Sequence, residues 1–218
     1  MKYSAKQTLP SRVQQILDRC NTKHILYKNF RGEKKGFFFK LLLKEQCHVC
    51  AYCGVKLSAD ETKMHIDHFW PQSHSSNGVW DYQNWFASCG PPGKENRIPS
   101  TCGDAKGDWF DPSNTDLIPS NSGCEHRFRY GQFGGITAAD SSDQLVTTFI
   151  DKLNLNDASL QYNRKAIIKS IESELPSTDD DIRAEIARWR EVDGDGCAKS
   201  FGHVVANYLE CEFGNLLV

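Results

Sequence analysis

The sequence predicts an α+β protein: a small metal-stapled core embedded in mostly helical N- and C-terminal segments. Three observations carry this. Cysteines crowd between residues 47 and 102. Residues 47–135 are rich in Gly, Pro, Ser, Asn, Asp, Cys and His and poor in long periodic runs, so that stretch needs a staple such as a bound metal. The flanks, 1–46 and 136–218, carry helical spacing instead.

Within residues 1–46, Ser11–Cys20 sets Val13, Ile16 and Leu17 at helical intervals, with Ser11 a candidate N-cap. Gly36–Cys47 is a dense apolar block that fits a buried helix or a strand, and periodicity alone does not choose. In the middle stretch, short strands are expected around Met64–Phe69 and Trp85–Ser88, and a helix starts near Thr101 or Cys102. Toward the C-terminus, Asn156 or Asp157 is placed to cap a helix over 158–175. Ser177 or Thr178 is placed to cap a second, with acids in its first turn and arginines in its last, as the helix dipole favours. The DGDG at 193–196 breaks the pattern before a last helix over 203–213.

The 218 residues carry a net charge of only −2, but unevenly. Residues 1–44 hold eleven Lys or Arg against Asp18 and Glu33, or +9. Residues 45–139 total −4 and residues 140–218 total −7. A basic arm before an acidic body fits a nucleic-acid footprint or a solvated helix face equally well. No uncharged apolar run approaches the ~18–20 residues that span a bilayer, so no membrane partner is expected. The first dozen residues have no apolar signal core, which leads to the expectation of a cytoplasmic protein.

In a reducing compartment, nine clustered cysteines read as metal ligands before disulfides. Cys47, Cys50 and Cys53 form two overlapping C-x2-C pairs, and a structural Zn²⁺ takes four ligands in a tetrahedron. The favoured set is Cys50, Cys53, Cys89 and Cys102, the last two separated by a twelve-residue loop. Cys47 and Cys124 are substitutes. Cys20, Cys197 and Cys211 have no partner spacing and read as buried thiols.

Between these cysteines lie His65, Asp67 and His68, then Asn84, and then Asp104 and Lys106 after Cys102. The order resembles the HNH, or ββα-metal, nuclease superfamily. The resemblance implies two strands and a helix as the active site, with the zinc knuckle outside it. It matches Asp67 to a metal ligand, His68 to the general base, Asn84 to the residue that holds the base-bearing loop, and Asp104 to the metal ligand on the helix.

A narrower resemblance covers most of residues 40–165: LLKEQ, CAYCG, DHFWPQS, W-x-x-x-N, CGDAKG, FRYGQFGGI, and KLNLN followed by Arg164. These are similar to the PtuB family of HNH nucleases from Septu and retron-associated antiphage systems. That likeness implies a toxic effector held by a PtuA-type ATPase, and a retron reverse transcriptase with its RNA and msDNA as a further partner. Its substrate is nucleic acid, either DNA or RNA such as tRNA.

The chemistry follows from the residue types. His is the side chain whose ordinary pKa lies near working pH, so His68 suits proton removal from water. Asp67 and Asp104 suit a hard cation, Mg²⁺ or Mn²⁺, that stabilises charge on phosphate. Lys106, and Arg127 and Arg129 beside His126, are candidate phosphate contacts. In a regular strand His65 and Asp67 share a face and His68 points away. A bulge or turn at Asp67–His68 is therefore expected, and if the strand stays regular His65 becomes a competing ligand. The other function class is a non-catalytic zinc-binding module that docks a partner or nucleic acid.

Overall fold

The computed structural model describes residues 1–58, 63–74, 79–90, 100–174 and 178–214. Helix α1 spans Ser11–Thr22. Pro10, not Ser11, is its cap residue, and no side chain caps it; the expected Ser11 cap is not formed because Ser11 is already inside the first turn. The apolar block resolves as helix α2, Glu33–Glu45, entered through Gly32 at φ +68°. Phe38, Phe39, Leu42 and Leu43 recur on one face of it and are buried, while Phe37 is left exposed.

Strands β1 (Met64–His68) and β2 (Trp85–Cys89) pair antiparallel without interruption, from Met64 opposite Cys89 to His68 opposite Trp85. The short helix α3 (Cys102–Lys106) packs across one face of both strands. On the other side Phe30, Phe38, Trp80 and Tyr82 surround Trp85 at ring-centroid distances of 5.3–6.2 Å. The free edge of β2 is closed at Ala87 by the Gln46 side chain and by the Ala51 N–H, which donates to the Ala87 carbonyl at 3.2 Å. Buried Gln46 accepts from the Ala87 N–H at 2.7 Å and donates to the Ala87 carbonyl at 2.8 Å, as a neighbouring strand would.

Among the described residues the rest of the chain adds a hairpin and four α-helices. Strands β3 (Phe128–Tyr130) and β4 (Ile136–Ala138) form the hairpin, which the sequence reading did not anticipate. Helix α4 (Gln144–Lys152) follows, then α5 (Ala158–Glu172), α6 (Asp179–Arg190) and α7 (Gly202–Phe213). Asp157, rather than Asn156, caps α5; Asn156 instead brackets both backbone groups of Ile136. Thr178 caps α6 by accepting from the Asp181 N–H, while Ser177 and the 91–99 loop lie outside the described residues. Helix α7 is buried from Gly202 to Leu209, so it is a core element rather than a surface one.

Buried residues from all three stretches join one cluster. The cysteine turn is locked to α7: a Cβ on Gly54, at φ +79°, would lie 2.1 Å from the His203 ring. Among the described residues no helix is long and apolar enough to cross a membrane.

Candidate metal centre and adjoining site

The cysteine spacing produces a built cluster. Cys50, Cys53, Cys89 and Cys102 bring their sulfurs within 4.8 Å of one another, with 3.6 Å between Cys53 and Cys89 and between Cys89 and Cys102. That is far beyond a disulfide bond and close to the ~3.8 Å edge of a tetrahedron with Zn–S bonds of ~2.3 Å. The Cys89 N–H donates to Cys50 Sγ at 3.4 Å, and the Cys50–Gly54 turn closes with the Gly54 N–H on the Cys50 carbonyl. Burial works against a charged Cys50, yet hydrogen bonds from Cys102, Cys53 and Cys89 bring its pKa well below the usual thiol value. Burial, with the crowding of the other cysteines, leaves Cys102 well above it. The donor set fits a thiophilic dication, which would replace the shared protons and hold all four sulfurs as thiolates.

Cys47 and Cys124 stand outside the cluster. Cys20 is buried, but Cys197 is half-buried and Cys211 exposed, so the reading of all three as buried thiols is corrected for the last two.

The cluster pins α3 against β1. Gly103 faces the strand so closely that a Cβ there would lie 2.8 Å from Asp67 Cγ and 2.9 Å from His65 Nε2. His65 and Asp67 therefore share the α3 face, because β1 stays in register through His68 and the expected bulge is not formed. His65 Nδ1 lies 3.3 Å from the Gly90 carbonyl. Asp104 is a helical step away from Gly103; its Cβ is 3.8 Å from where a Gly90 Cβ would be. Among the described residues, no set of three His, Cys, Asp or Glu side chains besides the four cysteines has ligand atoms within 4.8 Å of one another.

Asp67 is instead held by two side chains the sequence reading placed elsewhere or did not single out. The Tyr52 hydroxyl donates to Asp67 Oδ2, and burial followed by the Asp67 charge raises the Tyr52 pKa well above its usual value, so it remains a donor. Lys106 lies 3.4 Å from Asp67 Oδ1, with its side chain only 1% exposed. Its ammonium also donates to the carbonyls of His68 at 2.8 Å and Gly107 at 3.3 Å. Lys106 is an internal cation in this structure, neither a surface lysine nor free to reach a phosphate.

His68 faces the other way, into the aromatic packing, edge-on to Tyr27 at 4.6 Å and to Trp85 at 5.7 Å. Its Nε2 is 2.9 Å from the Val79 carbonyl, which also accepts from Trp85 Nε1. A carbonyl only accepts, so Nε2 carries the proton and the lone pair is on Nδ1. Burial lowers the His68 pKa, which keeps the ring neutral. Asn84 pins the chain just after it: Oδ1 accepts from the Trp70 N–H and Nδ2 donates to the Trp70 carbonyl, both at 2.8 Å, while the Asn84 carbonyl takes the Phe69 N–H. It steadies the loop without touching the imidazole.

Arg127 pairs with Asp143, and Arg129 with Glu212 at 3.3 Å, so both expected phosphate contacts already face carboxylates. His126 is exposed beside them. Compared with known protein families and with curated proteins, the chain matches none.

Proposed function

We propose that this protein is an HNH-type endonuclease that hydrolyses nucleic-acid phosphodiester bonds. The observation that carries the reading is the held imidazole of His68: neutral, its Nε2–H fixed by the Val79 carbonyl, at the end of a β-hairpin stapled to a helix by four cysteines. Its Nδ1 lone pair would take the proton of an attacking water, while Asn84 keeps the following loop from drifting. A role as the toxic effector of an antiphage system, working with a PtuA-type ATPase, rests on the resemblance to PtuB.

The Zn²⁺ reading fits the four sulfurs. The implied Mg²⁺ or Mn²⁺ does not fit the arrangement as it stands. Both oxygens of Asp67 are engaged, one by Tyr52 and one by the Lys106 ammonium. The same observation favours the second reading, a non-catalytic zinc module that docks a partner or nucleic acid.

The test is incubation with plasmid, single-stranded DNA and tRNA, with and without Mg²⁺ or Mn²⁺, beside His68→Ala. The nuclease reading expects cleavage that His68→Ala lowers by about a hundredfold or more. Cleavage unchanged in that variant points to a contaminant or another base and overturns His68 as the base; no cleavage by any preparation, including one bound to the ATPase, supports the docking module.

A further inference from the structure

Among the described residues, Phe133 and Tyr162 are the two most exposed large apolar side chains, at 68% and 72%. Phe133 sits at the tip of the β3–β4 hairpin and Tyr162 on the outer side of α5, yet the fold sets both beside one lysine. The Lys165 ammonium lies 5.7 Å from the centre of the Phe133 ring. Tyr162 precedes Lys165 by three residues on α5, the spacing that makes side chains neighbours on a helix surface.

The tip is held to the helix by backbone. Gly134, at φ +79°, rests so closely on α5 that a Cβ there would lie 2.1 Å from the Gln161 carbonyl oxygen and 2.7 Å from the Lys165 backbone nitrogen. Buried Arg164 donates to the Gly134 carbonyl at 2.6 Å. The base of the hairpin is tied to the candidate site. Phe149 of α4 lies 6.1 Å from Phe128, at the start of β3, and 6.1 Å from Phe69, the residue after His68.

The charge around the rings is one-sided. Residues 140–218 total −7, yet α5 holds no acid from Ala158 to Ile171, and the hairpin tip from Tyr130 to Ile136 holds no charged residue. Lys165 and Lys169 are exposed and form no ion pair among the described residues. The acids that bound the helix are engaged, Asp157 by Ser159 and Glu172 by Tyr208. Folding gains little from two rings left in water, and such rings mark contact surfaces where they stand together. The exposed residues next to them, Gln132 and Asn163, are polar. A partner's apolar face would therefore meet two isolated rings. An unpaired nucleotide strand matches the pattern better, offering a base to each ring and a phosphate to the cation.

We propose that Phe133, Tyr162 and Lys165 form a docking platform for an unpaired nucleic-acid strand, with bases stacked on the two rings and a phosphate on the lysine they share. This deepens the nuclease reading by naming where the substrate is gripped, and rests on that reading for nucleic acid as the ligand. The test titrates the full chain, without added divalent ion, into a short, fluorescently labelled, mixed-sequence single strand, as DNA and as RNA, over a range of salt. Phe133→Ala and Tyr162→Ala are each expected to weaken binding about fivefold or more with the salt dependence unchanged. Lys165→Gln should flatten the slope of log affinity against log salt by about 0.7, the share of one phosphate contact. Tyr162→Phe should bind as wild type, because stacking uses the ring and not the hydroxyl. Far-ultraviolet spectra should not change, since both rings lie outside the core.

Affinity unchanged in both alanine variants overturns the platform, and so does a wild-type chain that binds neither strand. Loss of a co-expressed ATPase by the double alanine variant, with strand binding intact, overturns it too and gives the face to a protein partner. Cleavage of the same strands with Mg²⁺ or Mn²⁺ separates the two readings. Ring-dependent binding without cleavage by any preparation overturns the nuclease reading and leaves the platform standing. Cleavage and affinity that both ignore the rings overturn the platform and leave the nuclease reading.

Discussion

Lys106 is where residue-level reading and structure diverge most. The sequence placed it after Asp104 on a short helix, and that much is right. Nothing in a single sequence says that Gly103 lets the helix backbone rest on Asp67, which draws the lysine's long side chain inward to the carboxylate. Its pairing has a measurable consequence. Replacing Lys106 by Met leaves the Asp67 charge buried with only Tyr52 beside it, and should cost about 3–5 kcal/mol in urea unfolding. The double variant Asp67→Asn/Lys106→Met should recover a good part of that loss. If the single and double variants are equally unstable, the pair is not what holds this corner. The Lys106→Met protein should also bind Mn²⁺ more tightly than wild type, read by electron paramagnetic resonance, if the ammonium is what keeps a cation from Asp67. Tyr52 was illegible for a related reason: it acts through a neighbour distant in sequence.

Elements were easier to read than contacts. Both strands of the first hairpin, the helix at Cys102 and the C-terminal helices lie close to where local pattern puts them, because turn residues, caps and apolar spacing are local signals. The missed hairpin, Phe128–Ala138, has strands of only three residues, too short to show alternation. The expected bulge at Asp67–His68 failed for a physical reason: β1 keeps its full ladder with β2, so Asp67 and His68 stay on opposite faces. The α3–β1 contact is tight enough to test. Gly103→Ala would drive a methyl group into Asp67 and His65 and should cost about 1–3 kcal/mol. The same substitution at Gly131, where a Cβ meets nothing within 4 Å, should cost far less. If the four cysteines hold a structural metal, a strong chelator, or Cys53→Ser, should unfold the β1–β2–α3 unit, because such sites couple metal binding to folding. An unchanged circular dichroism spectrum after verified metal removal would count against the staple.

At the scale of the whole molecule, the three stretches distinguished by composition share one core, and His203 is a joint between them. It is buried against Gly54 and lies 3.2 Å from the Tyr130 hydroxyl. Burial, reinforced by nearby cations including Lys2 and Arg190, drives its pKa well below the ordinary 6.5. The folded protein therefore resists a proton that the unfolded chain accepts. The stability is present above about pH 6.5 and is lost as pH falls below it. Urea midpoints measured between about pH 7.5 and 5.5 should fall on acidification, and the fall should be smaller in His203→Gln. An identical fall in both proteins would assign the acid sensitivity elsewhere.

The amide of Gln46 has a last consequence, for self-association. A two-stranded ribbon ordinarily offers its outer rim to any passing extended segment, and that is how many small sheets polymerise. Here the rim at Ala87 is already spoken for by a glutamine supplied from the end of a helix. Gln46→Leu would leave the buried Ala87 N–H without its acceptor, while the Ala51 N–H still covers the Ala87 carbonyl; the protein should lose about 1–3 kcal/mol in urea unfolding and stay free of thioflavin-positive particles.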